Sequence, residues 1–374
     1  GFKDPGTDND WTTAATTSAK YYQSDYAYDA NGNITRANRY DQSGSRYDSL
    51  YYYYHDISGG RMQNRLYQLK DLAPDTAVVS GDGVEDLPYQ NVNIINQGNA
   101  GSSGNGVNSR NPTTPSTTPN NFLYDQLGRL KRDAKEEIDS IQWTVASKVR
   151  QVVRTGGSSR KRLIFGYGAD GQRITKSVMS SATVVSTRDH YVYDAQGNIM
   201  AIYRYNPHDG SFKLLERPLY GSGRVGTDAQ ERELMAQAQL DQSALGTAVP
   251  PATPAELRYE LKDHLGNVAA TVSGEVYQVD GNNDQIAEFL QPHLLSASGY
   301  EPFGSLLPGR NYSASSYRYG LNGQEKDDEI YNSTGTSYTA EFWQYDPRTG
   351  RRWNMDPVPN PSLSSYHAFA LNPI

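Results

Sequence analysis

Tyr28-Asp29-Ala30-Asn31-Gly32-Asn33-Ile34, Tyr124-Asp125-Gln126-Leu127-Gly128-Arg129-Leu130 and Tyr193-Asp194-Ala195-Gln196-Gly197-Asn198-Ile199 are copies of one unit, and that unit decides the fold. It reads aromatic, Asp, two variable residues, Gly, polar, aliphatic. Tyr167-Gly168-Ala169-Asp170-Gly171-Gln172-Arg173-Ile174 is a looser copy. Asp opens a turn by accepting hydrogen bonds from its own backbone two residues on, and Gly closes the turn where φ must be positive. Tyr, Ile, Val and Arg on either side suit half-buried strands. Each unit therefore predicts a β-hairpin, and their recurrence predicts an all-β repeat scaffold.

Strand signals extend outward from these turns. They run from Tyr21 through Tyr51-Tyr52-Tyr53-Tyr54 to Leu69, with further turns at Asp41-Gln42-Ser43-Gly44 and Asp56-Ile57-Ser58-Gly59. They resume at Phe122, alternate through Ile141-Gln142-Trp143-Thr144-Val145, and continue to Tyr205. Residues 1–20 read as a polar connector, 21–96 and 121–226 as repeat strands, and 97–120, rich in Gly, Ser, Asn, Thr and Pro, as an insert unable to bury a core. Residues 227–258 read as a helical and Pro-rich insert. Its stretch 228–240 is Ala/Gln/Glu-rich without Gly or Pro, which predicts a helix capped by Thr227 or Asp228. The last stretch, 259–374, carries different signatures.

Composition narrows the function. The chain has 374 residues and a formal net charge of -7, which argues against nucleic acid as the main partner. It has no cysteine, which excludes disulfides, thiolate metal sites and cysteine nucleophiles. No apolar run reaches the length of a membrane helix, so membrane insertion is not expected. It starts at Gly1 with no leader, which reads as part of a longer protein. Tyr numbers 29 against 8 Phe. Its apolar ring and polar tip suit a thin sheet wet on both faces, or a loopy β-protein with many exposed tyrosines.

The repeated units resemble the YD repeats of Rhs proteins, a class that includes polymorphic toxins, toxin-complex C components and teneurins. The last stretch resembles the Rhs-repeat-associated core domain through Tyr345-Asp346-Pro347-Arg348-Thr349-Gly350-Arg351, then Asp356-Pro357, then Asn372-Pro373. Asp263-His264-Leu265-Gly266-Asn267-Val268 and Asn322-Gly323-Gln324-Glu325-Lys326-Asp327 are similar to the wording of Bacteroidota members. The resemblance covers about residues 21–374 apart from the two inserts. It implies a sheet spiralling into part of a hollow cocoon closed by the core domain, in a secreted or cell-surface protein that encloses a C-terminal effector. The implied partners are the N-terminal remainder of the shell, the effector segment and a delivery machinery. In toxin members an Asp-Pro-x-Gly cleavage segment follows Asn-Pro; this sequence stops at Ile374, short of that place, so the resemblance implies that the cargo is not among these residues.

For chemistry, the resemblance points to Asp346 and Asp356, because core-domain aspartates of some members cut their own chain. Two carboxylates sharing a proton supply an acid and a base. Arg348, Arg351 and Arg352 are candidates to orient or neutralise them. The plain alternative is that both aspartates open turns before Pro and the arginines are solvated. His264 lies in a turn, and the six His are too scattered for a zinc site. Glu325, Asp327, Asp328 and Glu329 form an acidic run without a calcium-loop pattern and read as a solvated loop. No cofactor or metal is expected, and turnover of an external substrate is not expected. The rival reading is a surface adhesin or carbohydrate-binding β-protein whose exposed aromatics stack on sugars. A glycosidase has only generic acid pairs behind it.

Overall fold

The computed structural model describes residues 20–54, 64–73, 121–235, 253–280, 286–358, 360 and 363–369. Residues 1–19 of the expected connector 1–20, the turn at Asp56-Gly59, the insert 97–120 and Asn372-Pro373 lie outside these described residues.

The described chain is all-β. A first antiparallel sheet runs β1 (Ser24–Tyr28), β2 (Ile34–Tyr40), β3 (Arg46–Tyr53) and β4 (Gln68–Asp71) in sequence order. A long antiparallel sheet begins with β5 (Phe122–Tyr124), β6 (Leu130–Asp133), β7 (Ile138–Trp143), β8 (Val149–Arg154) and β9 (Leu163–Tyr167). It continues with β10 (Arg173–Met179), β11 (Val185–Tyr193), β12 (Ile199–Tyr205), β13 (Phe212–Tyr220) and β14 (Arg224–Asp228). β15 (Arg232–Met235) pairs beside β13, and the path ends through β16 (Leu257–Lys262), β17 (Val268–Val279), β18 (Phe289–Tyr300) and β19 (Leu306–Tyr312). A small third sheet joins β20 (Glu325–Lys326), β21 (Tyr338–Ala340), β22 (Trp343–Asp346) and β23 (Arg351–Arg352).

The repeated unit forms the hairpins as its chemistry dictates. In the β5–β6 turn, Asp125 N donates to Arg129 O at 2.9 Å and Gly128 N to Asp125 O at 3.0 Å. The Asp125 carboxylate accepts from Arg129 N, and Gly128 sits at φ +77°. The same backbone pair closes the turns at Asp29, Asp41, Gly168 and Asp194. It also closes the turns at Asp263 and Glu301, which the sequence reading did not count as copies.

The two sheets form one curved wall. Phe122 N donates to Tyr67 O at 3.0 Å, which links the start of β5 to the β4 edge. At the other end, Glu301 in the β18–β19 turn accepts from Ser24 of β1 and from Tyr47 of β3, whose Oη lies 2.6 Å away. Arg310 of β19 lies over the ring of Tyr22, 4.3 Å from its centroid. First and last strands therefore come back against each other. The main core fills the inside: Ile34, Leu50, Leu69, Ile138, Val152 and Leu163 of the wall pack with Phe303, Ile330, Tyr331 and Trp353 of the last stretch.

Three expectations change. Arg232–Met235 is a strand, not the start of a helix, and residues 236–252 lie outside the described residues. Local Ala/Gln/Glu propensity is a weak prior, and pairing with Phe212–Leu214 of β13 overrides it. The insert's two flanks pair directly, Gly226 with Tyr259 and Asp228 with Leu257, so the sheet runs on past it. Some tyrosines, such as Tyr21, Tyr277 and Tyr312, are exposed, but many lie in the interior. Tyr331, Tyr338, Tyr345 and Tyr366 are among the largest fully buried side chains. Their tips serve inside: Tyr345 donates to Phe303 O and Tyr366 to Gly128 O.

Candidate functional site: the seam between wall and enclosed segment

The acidic run is not solvated. Asp327 has no exposure at all, because it lies where the wall meets the enclosed segment. Arg173 of β10 grips it with two bonds of 2.8 Å, and Lys176 Nζ lies 3.1 Å from its other face. Thr339 of β21 donates to the same carboxylate. Burial alone would raise the Asp327 carboxyl, but Arg173 and Lys176 overcome it and hold the group well below the ordinary carboxylate range. Glu325 accepts from Tyr191 of β11 at 2.7 Å, and Arg318 joins Glu325 to Glu216 of β13.

A second buried cluster surrounds Asp346. Arg348 Nε and Nη2 lie 3.1 Å from its two oxygens, and Arg348 N donates to it at 3.0 Å. The remaining amino group of Arg348 reaches Glu136 of the β6–β7 connection at 2.8 Å, and Arg160 completes the cluster on Glu136. Burial opposes ionisation of Glu136, yet the two guanidiniums hold it below its usual value. Asp133 beside it accepts from Asn121, but burial, then the charge of Glu136, outweighs the help of Arg348 and Asn121 and pushes it up to about 7. Arg348 also stacks on Tyr331, 3.8 Å from the ring centroid.

Asp356 lies elsewhere. Its carboxylate pairs with Arg352 at 2.8 Å and accepts from Val358 N. Among the described residues no hydrogen bond joins Asp346 to Asp356. Arg351 reaches neither: it donates to Asn64 O and to Tyr54 Oη, stitching β23 to the first sheet. The arginines are thus not solvated strand residues, and two of the three hold the aspartates singly. Both aspartates also act as turn openers, since each accepts from the backbone N–H two residues on. Sequence reasoning missed Glu136, Arg173, Lys176 and Glu301, because their partners lie more than a hundred residues away.

No protein-family model matches the chain. Salivary gland surface protein 1 of Aedes aegypti is 24% identical over 247 residues, 63% of this chain and 6% of that protein. A Photorhabdus luminescens Tc holotoxin pore structure matches with 14% identity and TM-score 0.42, over 94% of this chain and 17% of the other. The TcdB2-TccC3 crystal structure matches with 14% identity and TM-score 0.41, over 94% and 18%. The chain therefore spans a small fraction of each protein it resembles. No helix among the described residues is long and apolar enough to cross a membrane.

Proposed function

We propose that this chain is a closing stretch of a secreted or cell-surface Rhs-type shell of the Bacteroidota kind, which encloses and presents a C-terminal effector. The observation that carries the reading is the burial of Asp327 and Asp346 inside a wall whose first and last strands meet at Glu301. A scaffold that exposes its repeats for adhesion has no need to bury a charged segment, which is costly unless fully paired. The N-terminal remainder of the shell, the effector segment and a delivery machinery are the partners of this reading.

Self-cleavage past Asn372-Pro373 belongs to the same proposal. It would require Asp346 to exchange its pairing with Arg348 for a shared proton with Asp356. The test is expression of the chain with its native downstream segment, unaltered and as Asp346→Asn and Asp356→Asn. Protease resistance of the downstream segment supports enclosure. A released fragment that both substitutions abolish supports self-cleavage. A downstream segment digested as fast as free peptide, together with glycan binding by the wall, would replace the shell reading with the adhesin.

A further inference from the structure

Between wall and enclosed segment lies a cavity of about 380 Å³. Its cationic lining comes from both sides: Lys176, Arg204 and Arg258 from the wall, Arg318 and Lys326 from the last stretch. Three of these are already neutralised. Lys176 pairs with Asp327 and Glu329, Arg204 with Asp189, and Arg318 with Glu216 and Glu325.

Two are not. Lys326 is only 7% exposed, and the bond it makes is to a neutral acceptor, the Ala314 carbonyl. Arg258 donates to the Ser316 carbonyl at 2.7 Å. Neither forms an ion pair among the described residues. Asp328 lies nearest in charge to Lys326, but its oxygens accept from Thr334 and Gly335 at 2.7 and 2.8 Å. Burial lowers the Lys326 amine despite Asp328. A buried ammonium with only a carbonyl partner is expensive, and an anion beside it removes that cost. Among the described residues, the lining carboxylates of Asp328 and Glu231 form no ion pair, and Glu231, exposed at the rim, can turn to water.

We propose that this cavity is an anion site in which Lys326 and Arg258 bind a compact oxyanion, a phosphate or carboxylate group, that bridges wall and enclosed segment. The inference does not depend on the effector reading. Ammonium and guanidinium donors make charge-assisted bonds with either group.

The test is calorimetric titration of the chain with inorganic phosphate and, separately, with citrate at low salt. Saturable one-to-one binding of at least one probe is expected. Phosphate alone binding assigns a tetrahedral oxyanion, citrate alone a carboxylate, and both a site for either. Arg258→Gln should weaken binding by about tenfold, the loss of one charge-assisted bond. Glu231→Gln should tighten it, because it removes the rim's repulsion. Lys326→Met should abolish it. Should that variant fail to fold, the two surface variants decide alone. No saturable binding of either probe, or affinities unmoved by Arg258→Gln and Glu231→Gln, would overturn the proposal.

Discussion

Arg173 on the wall and Asp327 on the enclosed segment, 154 residues apart in sequence, meet in a two-bond ion pair with both contacts at 2.8 Å. Both residues are buried, Asp327 completely. Removing one partner leaves the other buried charge with only its weaker contacts, Lys176 for Asp327 and Glu325 for Arg173, at a cost of about 3–5 kcal/mol. Asp327→Asn and Arg173→Met should each lose that much in urea unfolding. The double variant Arg173→Met with Asp327→Asn should lose much less than the sum. Additive losses would mean that the two residues do not act on each other.

Asp346 and Asp356 should separate in the same assay. Asp346→Asn breaks a buried pair with Arg348 and unbalances Glu136, so about 3–5 kcal/mol is expected. Asp356→Asn breaks a pair nearer the surface and should cost about 1 kcal/mol. Equal, small losses would show that the Asp346 cluster does not hold the segment.

Turn glycines differ by what stands behind them. Gly128 and Gly171 both have positive φ, so alanine at either costs about 1–2 kcal/mol in backbone strain. At Gly128 an added Cβ would also lie 2.8 Å from Tyr366 Oη and 2.9 Å from Met355 Sδ, whereas at Gly171 it meets only the Lys148 side chain at 3.4 Å. Gly128→Ala should therefore lower the melting temperature more than Gly171→Ala. The reverse order would deny that the Tyr366 segment packs on this turn.

The pH dependence follows from carboxyls that folding raises. Burial lifts Asp71 to about 6, and burial with Glu136 lifts Asp133 to about 7. A raised carboxyl stabilises the fold fully below its unfolded pKa and loses that contribution as pH climbs through the folded one. Between about pH 4 and pH 7 these groups should make unfolding easier as pH rises. Asp327 and Glu136, which are lowered, act in the opposite sense and lose their contribution as pH falls below about 4. Urea midpoints should therefore be higher at pH 5 than at pH 8, and Asp133→Asn should narrow the gap. Midpoints rising steadily from pH 5 to pH 8 would contradict this account.

The hairpins were legible because turn chemistry is local: Asp, Gly and their spacing stand within seven residues. Glu301 escaped that pattern because a longer side chain replaced Asp, and it is used across the wall rather than within its turn. The strand at Arg232–Met235 was misread because local propensity favours helix and its sheet partner is distant. The acidic run looked solvated because its cations, Arg173 and Lys176, lie on another strand. Asp346 was legible as a residue of interest, while its engagement by Arg348 and Glu136 depends on folding.

The last stretch is locked inside the wall as part of one cooperative unit. Amide hydrogen exchange followed by mass spectrometry tests it most directly, at Trp343–Asp346 and Arg351–Arg352. Locked strands exchange only through global opening, so their protection should equal that of Ile138–Trp143 and Leu163–Tyr167 in the wall. Exchange orders of magnitude faster than the wall would mean that the segment lies outside it, and the account would fail.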